Sequence, residues 1–367
     1  MKQIQQVRIP TRSLWKKSYL GEVASFYNGR AFKSSEFKEV GTPIIRIQNL
    51  HGKGSVVYSD LALPDNKFAD TGDLLFAWSA TVGPFLWKGP RSIFHYHIWK
   101  VVCKSIDKIY LFYHLKFLTE TLKDVGNGTL FAHITKKQIE SYPILVPPKQ
   151  EQIKIAKMLS CLDVKIELLL EQNQTIEELA TCLFHKWFLN NRTNPKNTIK
   201  LSKRIDLAYG KSLKKALRSG TGFPVVGSNG VIDYHYKFLV QAPGIVLGRK
   251  GTIGSVNFLL ENFFPIDTTF YVISKENKQP LIYEYHLLKS IPLQGMDSDS
   301  AVPGLHRQSV LGIEIPQDSQ ERINQFNHTC YPFYEKISTN LRQIRTLEQL
   351  RDSLLPSLIT GRIQISQ

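Results

Sequence analysis

The chain has 367 residues, 42% hydrophobic and 11% aromatic, with 47 Lys and Arg against 31 Asp and Glu for a net charge of +16. This excludes a single small module and a mostly disordered chain, and predicts two or more domains with sizeable cores. No run approaches the ~18 consecutive apolar residues of a membrane helix, and residues 1–20 lack the apolar stretch of a secretory signal, so a cytoplasmic protein with no membrane partner is expected.

From the N-terminus, residues 1–149 are rich in Gly, Pro and short β-prone runs. Residues 43–47, 74–78 and 97–102 read as strands joined by turns, with a helix at 110–122 among them. From 150 to 191 the period changes. Ile155, Leu159, Leu162, Ile166, Leu169, Asn173, Ile176, Ala180, Leu183 and Trp187 step by alternating fours and threes, the 3.5-residue seam of a coiled coil. Residues 192–316 return to the first composition, with strands at 244–247 and 269–273 and a helix at 280–288. Residues 317–367 then carry a second, weaker seam: Phe326, Cys330, Phe333, Ile337, Asn340, Ile344, Leu347, Arg351, Leu354 and Leu358. Pro332 is expected to kink or restart this helix, and Pro356 and Gly361 to end it. Asn173 and Asn340 each place an amide on a seam, a device that fixes register at some cost in stability.

The second half repeats the first in order. Residues 20–33 lie over 201–214, bringing Gly29-Arg30 onto Gly210-Lys211, and Gly41-Thr42-Pro43 meets Gly222-Phe223-Pro224. With a small gap, Gly72-Asp73-Leu74-Leu75-Phe76 then Thr81-Val82-Gly83 lie over Gly244-Ile245-Val246-Leu247-Gly248 then Thr252-Ile253-Gly254. Tyr113-His114-Leu115 meets Tyr285-His286-Leu287, and residues 175–179 meet 346–350. The expected fold is therefore mixed α/β: two copies of one unit, with a strand-rich globular domain at 1–149, a helix at 150–191, a second globular domain at 192–316 and a second helix at 317–367. A helix of about 33 residues is ~50 Å long, more than a compact domain needs. We therefore expect the helices to pair antiparallel as a spacer under a pseudo-two-fold, circular arrangement; two amphipathic core helices are the simpler alternative.

Residues 1–150 hold 21 basic and 11 acidic groups and residues 191–316 hold 16 and 9, while both helices are near neutral, so the surplus sits on the two domains. Two basic heads on a spacer fit double-stranded DNA, whose groove repeats every ~34 Å. There is no G-x-x-x-x-G-K-[ST] loop, G-x-G-x-x-G turn or Asn-Pro-Pro-aromatic segment, and no catalytic or metal residue is assigned. Asp267 followed by Glu276 and Lys278 resembles the arrangement of metal-dependent nucleases and keeps that reading open. A scaffold binding polyanions without sequence preference is a further alternative. Cys103, Cys161, Cys182 and Cys330 are far apart without a C-x-x-C pair and are expected as buried thiols.

Base reading in the major groove calls for Arg or Lys on guanine, Asn or Gln on adenine, and small hydroxyls. The first-domain candidates are Arg30, Lys33, Arg46, Gln48, Asn49, Trp78, Ser79, Thr81, His95 and His97. Those of the second are Lys211, Ser212, Lys214, Ser228, Asn229, Arg249, Lys250 and Thr252, with His235, Lys237 and His306 as weaker additions. A strand at His95-Tyr96-His97 would set both imidazoles on one face, with no evident further ligand for a metal.

The ordered motifs resemble the specificity subunit of type I restriction-modification systems over nearly the full chain. The resemblance rests on Gly29-Arg30 and Gly210-Lys211, the Gly-x-Pro strands, Gly-Asp-Leu-Leu-Phe and Gly-Ile-Val-Leu-Gly-Arg-Lys-Gly-Thr-Ile-Gly. It also rests on the helix entrance Ile144-Leu145-Val146-Pro147-Pro148-Lys149-Gln150-Glu151-Gln152-Ile153, echoed by Ile313-Glu314-Ile315-Pro316 with a single proline. The resemblance implies a non-catalytic subunit whose two domains each read one half of a bipartite, asymmetric DNA target. It further implies helices that set the spacing and dock two methyltransferase subunits. The cofactors S-adenosylmethionine, ATP and magnesium would then be used by the methyltransferase and the restriction/translocase subunits, with none bound by this chain.

Overall fold

The computed structural model describes residues 14–125, 134–190, 197–275, 280–296, 304–363 and 365. The first half runs β1 (Lys16–Tyr19), α1 (Leu20–Val23), β2 (Ala24–Asn28), β3 (Thr42–Ile45), α2 (Ile47–Leu50), β4 (Val57–Ser59), β5 (Phe68–Ala69), β6 (Leu74–Ala77), β7 (Gly83–Leu86), β8 (Ser92–Phe94), β9 (Ile98–Cys103), α3 (Lys108–Val125), α4 (Lys136–Glu140), β10 (Pro143–Val146) and the long α5 (Lys149–Phe184). The second runs β11 (Thr198–Lys200), β12 (Ile205–Tyr209), β13 (Phe223–Gly227), β14 (Gly230–His235), β15 (Gly244–Gly248), β16 (Val256–Leu259), β17 (Phe264–Pro265), β18 (Thr269–Ser274), α6 (Ile282–Ser290), α7 (Arg307–Leu311), β19 (Glu314–Pro316) and α8 (Gln320–Ile359). The chain divides into two compact units, residues 1–166 with 346–367, and residues 167–345, so each unit takes a length of both long helices.

In the first unit the main sheet has the order β2-β9-β6-β7 with every pair antiparallel, and in the second β12-β18-β15-β16, again antiparallel throughout. The inner strands β6 (LLFA) and β15 (GIVLG) are buried at every position, which explains their unbroken apolar sequence. A smaller sheet accompanies each: β4-β3-β8-β5, where β3 and β8 run parallel, and β14-β13-β17, where β13 and β17 do. An antiparallel ribbon, β1 with β10 or β11 with β19, pairs the first strand of each half with the strand that leads into a long helix.

Strand registers correct one detail of the sequence repeat. Phe76 lies opposite Trp99 and Asn28 opposite the same Trp99, while Leu247 and Tyr209 both lie opposite Phe270. Phe76 therefore corresponds to Leu247, one residue away from the match expected on Gly72 and Gly244. The gap before Thr81 and Thr252 disappears, and Trp78 falls at the place of Arg249.

None of the seam positions is exposed. In the first unit Ile155, Ala156 and Leu159 share a core with Leu355, Leu358 and Ile359, Leu354 packs against it, and Arg351 Nη1 donates to Asp163 Oδ1 at 2.6 Å. Leu162 and Leu347 are half-buried and Ile166 is buried. In the second unit Ala180, Phe184 and Phe188 share a core with Phe326, Cys330, Tyr334 and Ile337, with Ile176, Leu183, Trp187 and Phe333 packed against it. Leu169 and Ile344 are also buried. Asn340 Nδ2 donates to Asn173 Oδ1 and to Gln172 Oε1, each at 2.8 Å, which joins the two seam amides. Within each unit, partners on α8 fall in number as those on α5 rise, the signature of antiparallel helices.

Two local expectations fail. The second helix does not restart at Pro332, because α8 is continuous from Gln320 to Ile359; proline fits helical φ and forfeits one amide bond. Pro356 likewise sits in its last turn, and Gly361 (φ +72°) follows the end. Cys161 and Cys182 are exposed thiols on α5, Cys103 is half-buried and Cys330 is buried; being apolar in kind did not place the first two on the seam. Among the described residues no helix is long and apolar enough to cross a membrane.

Candidate nucleic-acid interface

In each unit a Gly-basic pair, Gly29-Arg30 after β2 or Gly210-Lys211 after β12, and one further candidate, Trp78 after β6 or Arg249 after β15, lie where main-sheet strands end. In the first unit Gly29 follows β2 and passes so close to the turn after β8 that a Cβ there would lie 2.2 Å from His95 O and 2.3 Å from Phe94 O. Its amide donates to Ile98 O (3.1 Å), the Arg30 amide to Phe94 O (3.0 Å) and the Tyr96 amide back to Arg30 O (2.9 Å). In the second unit a Cβ on Gly210 would lie 2.1 Å from Ile266 O, its amide donates to Thr269 O (3.0 Å) and the Lys211 amide to Pro265 O (3.0 Å). The Gly-basic pair is thus a backbone seat that permits no side chain, repeated in both units.

The third wall is residue 78 or 249. The Trp78 amide donates to His97 O (3.1 Å), and the Arg249 amide to Thr268 O (2.9 Å). The two side chains meet different surroundings. Trp78 Nε1 donates to Tyr96 O (2.8 Å), and its ring lies 5.1 Å from His97 and 5.9 Å from both Tyr96 and Trp99. An apolar cleft of about 480 Å³ opens beside it, lined by Asn28, Gly29, Tyr96, Trp99 and Lys136 among others. Arg249 lies over the Tyr209 and Phe270 rings at 5.1 and 5.8 Å, with Nη1 3.3 Å from Asp267 O.

Residues 95–97 form a turn between β8 and β9, not the expected strand, with the Ile98 amide donating to His95 O (2.9 Å). The turn still brings the imidazoles together, ring centroids 5.0 Å apart. Burial, then the neighbouring His97 and Arg46, pull His95 down to about 4, so it is neutral at pH 7. Among the described residues no group of three or more His, Cys, Asp or Glu could hold a metal ion.

Several candidates are occupied by structural work. Arg30 makes a two-pronged ion pair with Glu36 (2.6 and 3.2 Å), which holds that carboxyl down at about 2, and its guanidinium covers Phe32. Asn49 Oδ1 accepts the Arg46 amide at the start of α2, and its Nδ2 reaches Lys53 O and Ser55 O. Arg46 Nη2 donates to Ser55 O at 2.5 Å. Ser79 is buried, Gln48 and Thr81 are exposed, and Lys33 is exposed with its amide on Glu36.

In the second unit Lys211, Ser212, Lys214, Asn229, Lys250 and Thr252 are exposed. Ser228 is half-buried and its carbonyl accepts from Ser255 Oγ. His235 is buried behind exposed Tyr236 and Lys237, and His306 is exposed at the start of α7. Asp267 is exposed, whereas Glu276 and Lys278 lie outside the described residues. Sequence reading missed Phe32, Tyr209 and Phe270, the rings against Arg30 and Arg249, and Tyr96, whose carbonyl takes the Trp78 donor; an aromatic beside each basic motif was the available signal.

Residues 12–178 match the family model described as the type I restriction modification DNA specificity domain. The chain is 23% identical over 302 residues to the type I restriction enzyme MjaIX specificity subunit of Methanocaldococcus jannaschii, covering 71% of this chain and 70% of that one. To the MjaVIII specificity subunit of the same organism it is 24% identical over 337 residues, covering 80% and 79%. In fold it is similar to the crystal structure of the type I restriction-modification S subunit from M. genitalium, with a TM-score of 0.59, 18% identity and coverage of 99% and 98%. Residues 12–178 thus match the type I restriction modification DNA specificity domain, and over most of its length the chain is similar to type I restriction enzyme specificity subunits.

Proposed function

We propose that this chain is the non-catalytic, two-headed reader of a bipartite DNA target. Each recognition domain contacts one half-site along the strand-end ledge built around Gly29 or Gly210. The carrying observation is that both units repeat this ledge with three equivalent backbone bonds, from Gly29, Arg30 and Trp78 or from Gly210, Lys211 and Arg249, while differing at the side chains, Trp78 against Arg249 and His97 against Thr268. A shared scaffold with unlike contacts suits two unlike half-sites. Lys33, Lys211, Lys214 and Lys250 are exposed nearby and suit phosphates, which fix position without reading sequence.

In this reading the chain arose by internal duplication, with recognition domains at 1–149 and 192–316 and helices at 150–191 and 317–367 in a pseudo-two-fold, circular arrangement. The helices set the spacing and dock two methyltransferase subunits, which bring restriction subunits with them. Methyl transfer from S-adenosylmethionine and the use of ATP and magnesium belong to those partners.

Binding to a duplex carrying the target, measured against random competitor across salt concentrations, tests the reading. A specific reader keeps an affinity gap of about 10³-fold or more over competitor at physiological salt. Steeply salt-dependent binding with no such gap would instead favour a polyanion scaffold. Cutting of supercoiled DNA by this chain alone with magnesium would favour the nuclease alternative at Asp267.

A further inference from the structure

Seven arginines of the two globular parts lie among the described residues. Arg30, Arg91, Arg204, Arg218 and Arg307 each have a carboxylate partner: Glu36, Asp65 with Asp70, Glu284, Asp233 and Asp206 respectively. Arg46 and Arg249 have none among the described residues. Arg46 is held inward, with Nη2 on Ser55 O and a buried Nε. Arg249 is the different case. One Nη1 bond to Asp267 O and the flanking Tyr209 and Phe270 rings hold the guanidinium in place, while Nε and Nη2 have no partner among the described residues.

A half-buried cation that is held in place, unneutralised and presenting an unused edge of its fork is prepared for a planar acceptor pair. Stacking on Tyr209 removes rotamers before binding, which lowers the entropic cost of the contact. In the major groove guanine alone offers two acceptors side by side, O6 and N7. The residue at the equivalent place in the first unit cannot make this contact, since the single donor of the Trp78 ring is already given to Tyr96 O.

We propose that Arg249 reads a guanine in the half-site of the second unit, donating from its free guanidinium edge to O6 and N7. The first unit then imposes no guanine at the equivalent place. The inference rests on the reading that each unit contacts one half of a split duplex target.

The test is a selection from duplexes randomised across both half-sites. It uses the full chain in complex with co-expressed methyltransferase subunits, as wild type, Arg249→Gln and Arg249→Lys. The lysine variant keeps the charge but lacks the fork, so it reports the loss of the two-pronged contact in a folded chain. The expected result is a loss of about 10- to 100-fold in preference at one guanine of one half-site, in both variants, with the other half-site unchanged. Affinity falling equally for every sequence, with the salt slope smaller by about one, would make Arg249 a phosphate contact and overturn the proposal. Unchanged preference would overturn it too. A wild-type selection with no split motif would instead remove the two-headed reading itself and this inference with it, a separate failure.

Discussion

Gly29→Ala and Gly210→Ala test the ledge on which both proposed contact surfaces are built. The added methyl would sit 2.2 Å from His95 O in one unit and 2.1 Å from Ile266 O in the other, whereas real Cβ atoms essentially never come within 3.0 Å. Nearly an ångström of backbone movement is needed, and the obstacles are carbonyls fixed in a turn, not side chains that can rotate away. Overpacking of this kind costs about 1–3 kcal/mol. The same movement strains two amide bonds across the seat, Gly29 to Ile98 O and Arg30 to Phe94 O, or Gly210 to Thr269 O and Lys211 to Pro265 O, each contributing about 1 kcal/mol. The total is about 3–5 kcal/mol, a large part of the ~5–15 kcal/mol that holds a domain folded. Urea denaturation of each variant reads the stability. Binding to duplexes with one half-site randomised reads the function, and Gly29→Ala should weaken one half and Gly210→Ala the other. Gly295→Ala is the control, because nothing lies within 4 Å of its would-be Cβ. Equal stability of all three variants, within ~0.5 kcal/mol of wild type, would refute the close-approach argument.

Two further predictions follow from buried polar groups. Asn340 is fully buried with Oδ1 unbonded, so Asn340→Leu should leave the melting temperature unchanged or raise it by a few degrees, while weakening the register that Asn173 imposes on the helix pair; calorimetry with cysteine cross-linking across the seam measures both. His114 is buried with Nδ1 unpartnered among the described residues, and burial lowers it to about 4 from its ordinary 6.5. The unfolded chain therefore binds a proton that the folded chain refuses between those values, and stability falls as pH drops from 6.5 to 4, by roughly 3 kcal/mol for this group. Stability measured against pH should show that slope reduced in His114→Leu, and an unreduced slope would contradict the assignment.

Much of the fold was legible because periodicity reports burial. The fours and threes of Ile155 to Trp187 mark a helix whose seam positions all avoid solvent, and Asn173 and Asn340 could be placed on facing seams before any contact was known. Phe184, Phe188 and Tyr334 escaped that reading because they pack against Tyr283 and Tyr285 of α6, away from the seam. At the ledge, Gly29 and Gly210 were marked by the repeat, but their reason, a carbonyl that would lie 2.2 or 2.1 Å from an added Cβ, is tertiary. Candidate contacts chosen by residue type alone could not separate a free cation from one already spent. Arg30 is taken by Glu36 and Asn49 by its own turn, while Arg249, with the same chemistry as Arg30, has no carboxylate partner among the described residues. The one-residue slip between Trp78 and Arg249 was hidden for a related reason: glycines align readily in sequence, but hydrogen-bond register decides which residues are equivalent.

The central claim is that one chain reads two different half-sites. The most direct measurement is to co-express it with an adenine methyltransferase subunit and map modified adenines across the host genome. The account predicts a single split motif, two dissimilar short halves at one fixed spacing, lost when this chain is omitted. Methylation that follows a continuous motif, or none, while the complex forms and binds its cofactor, would contradict it.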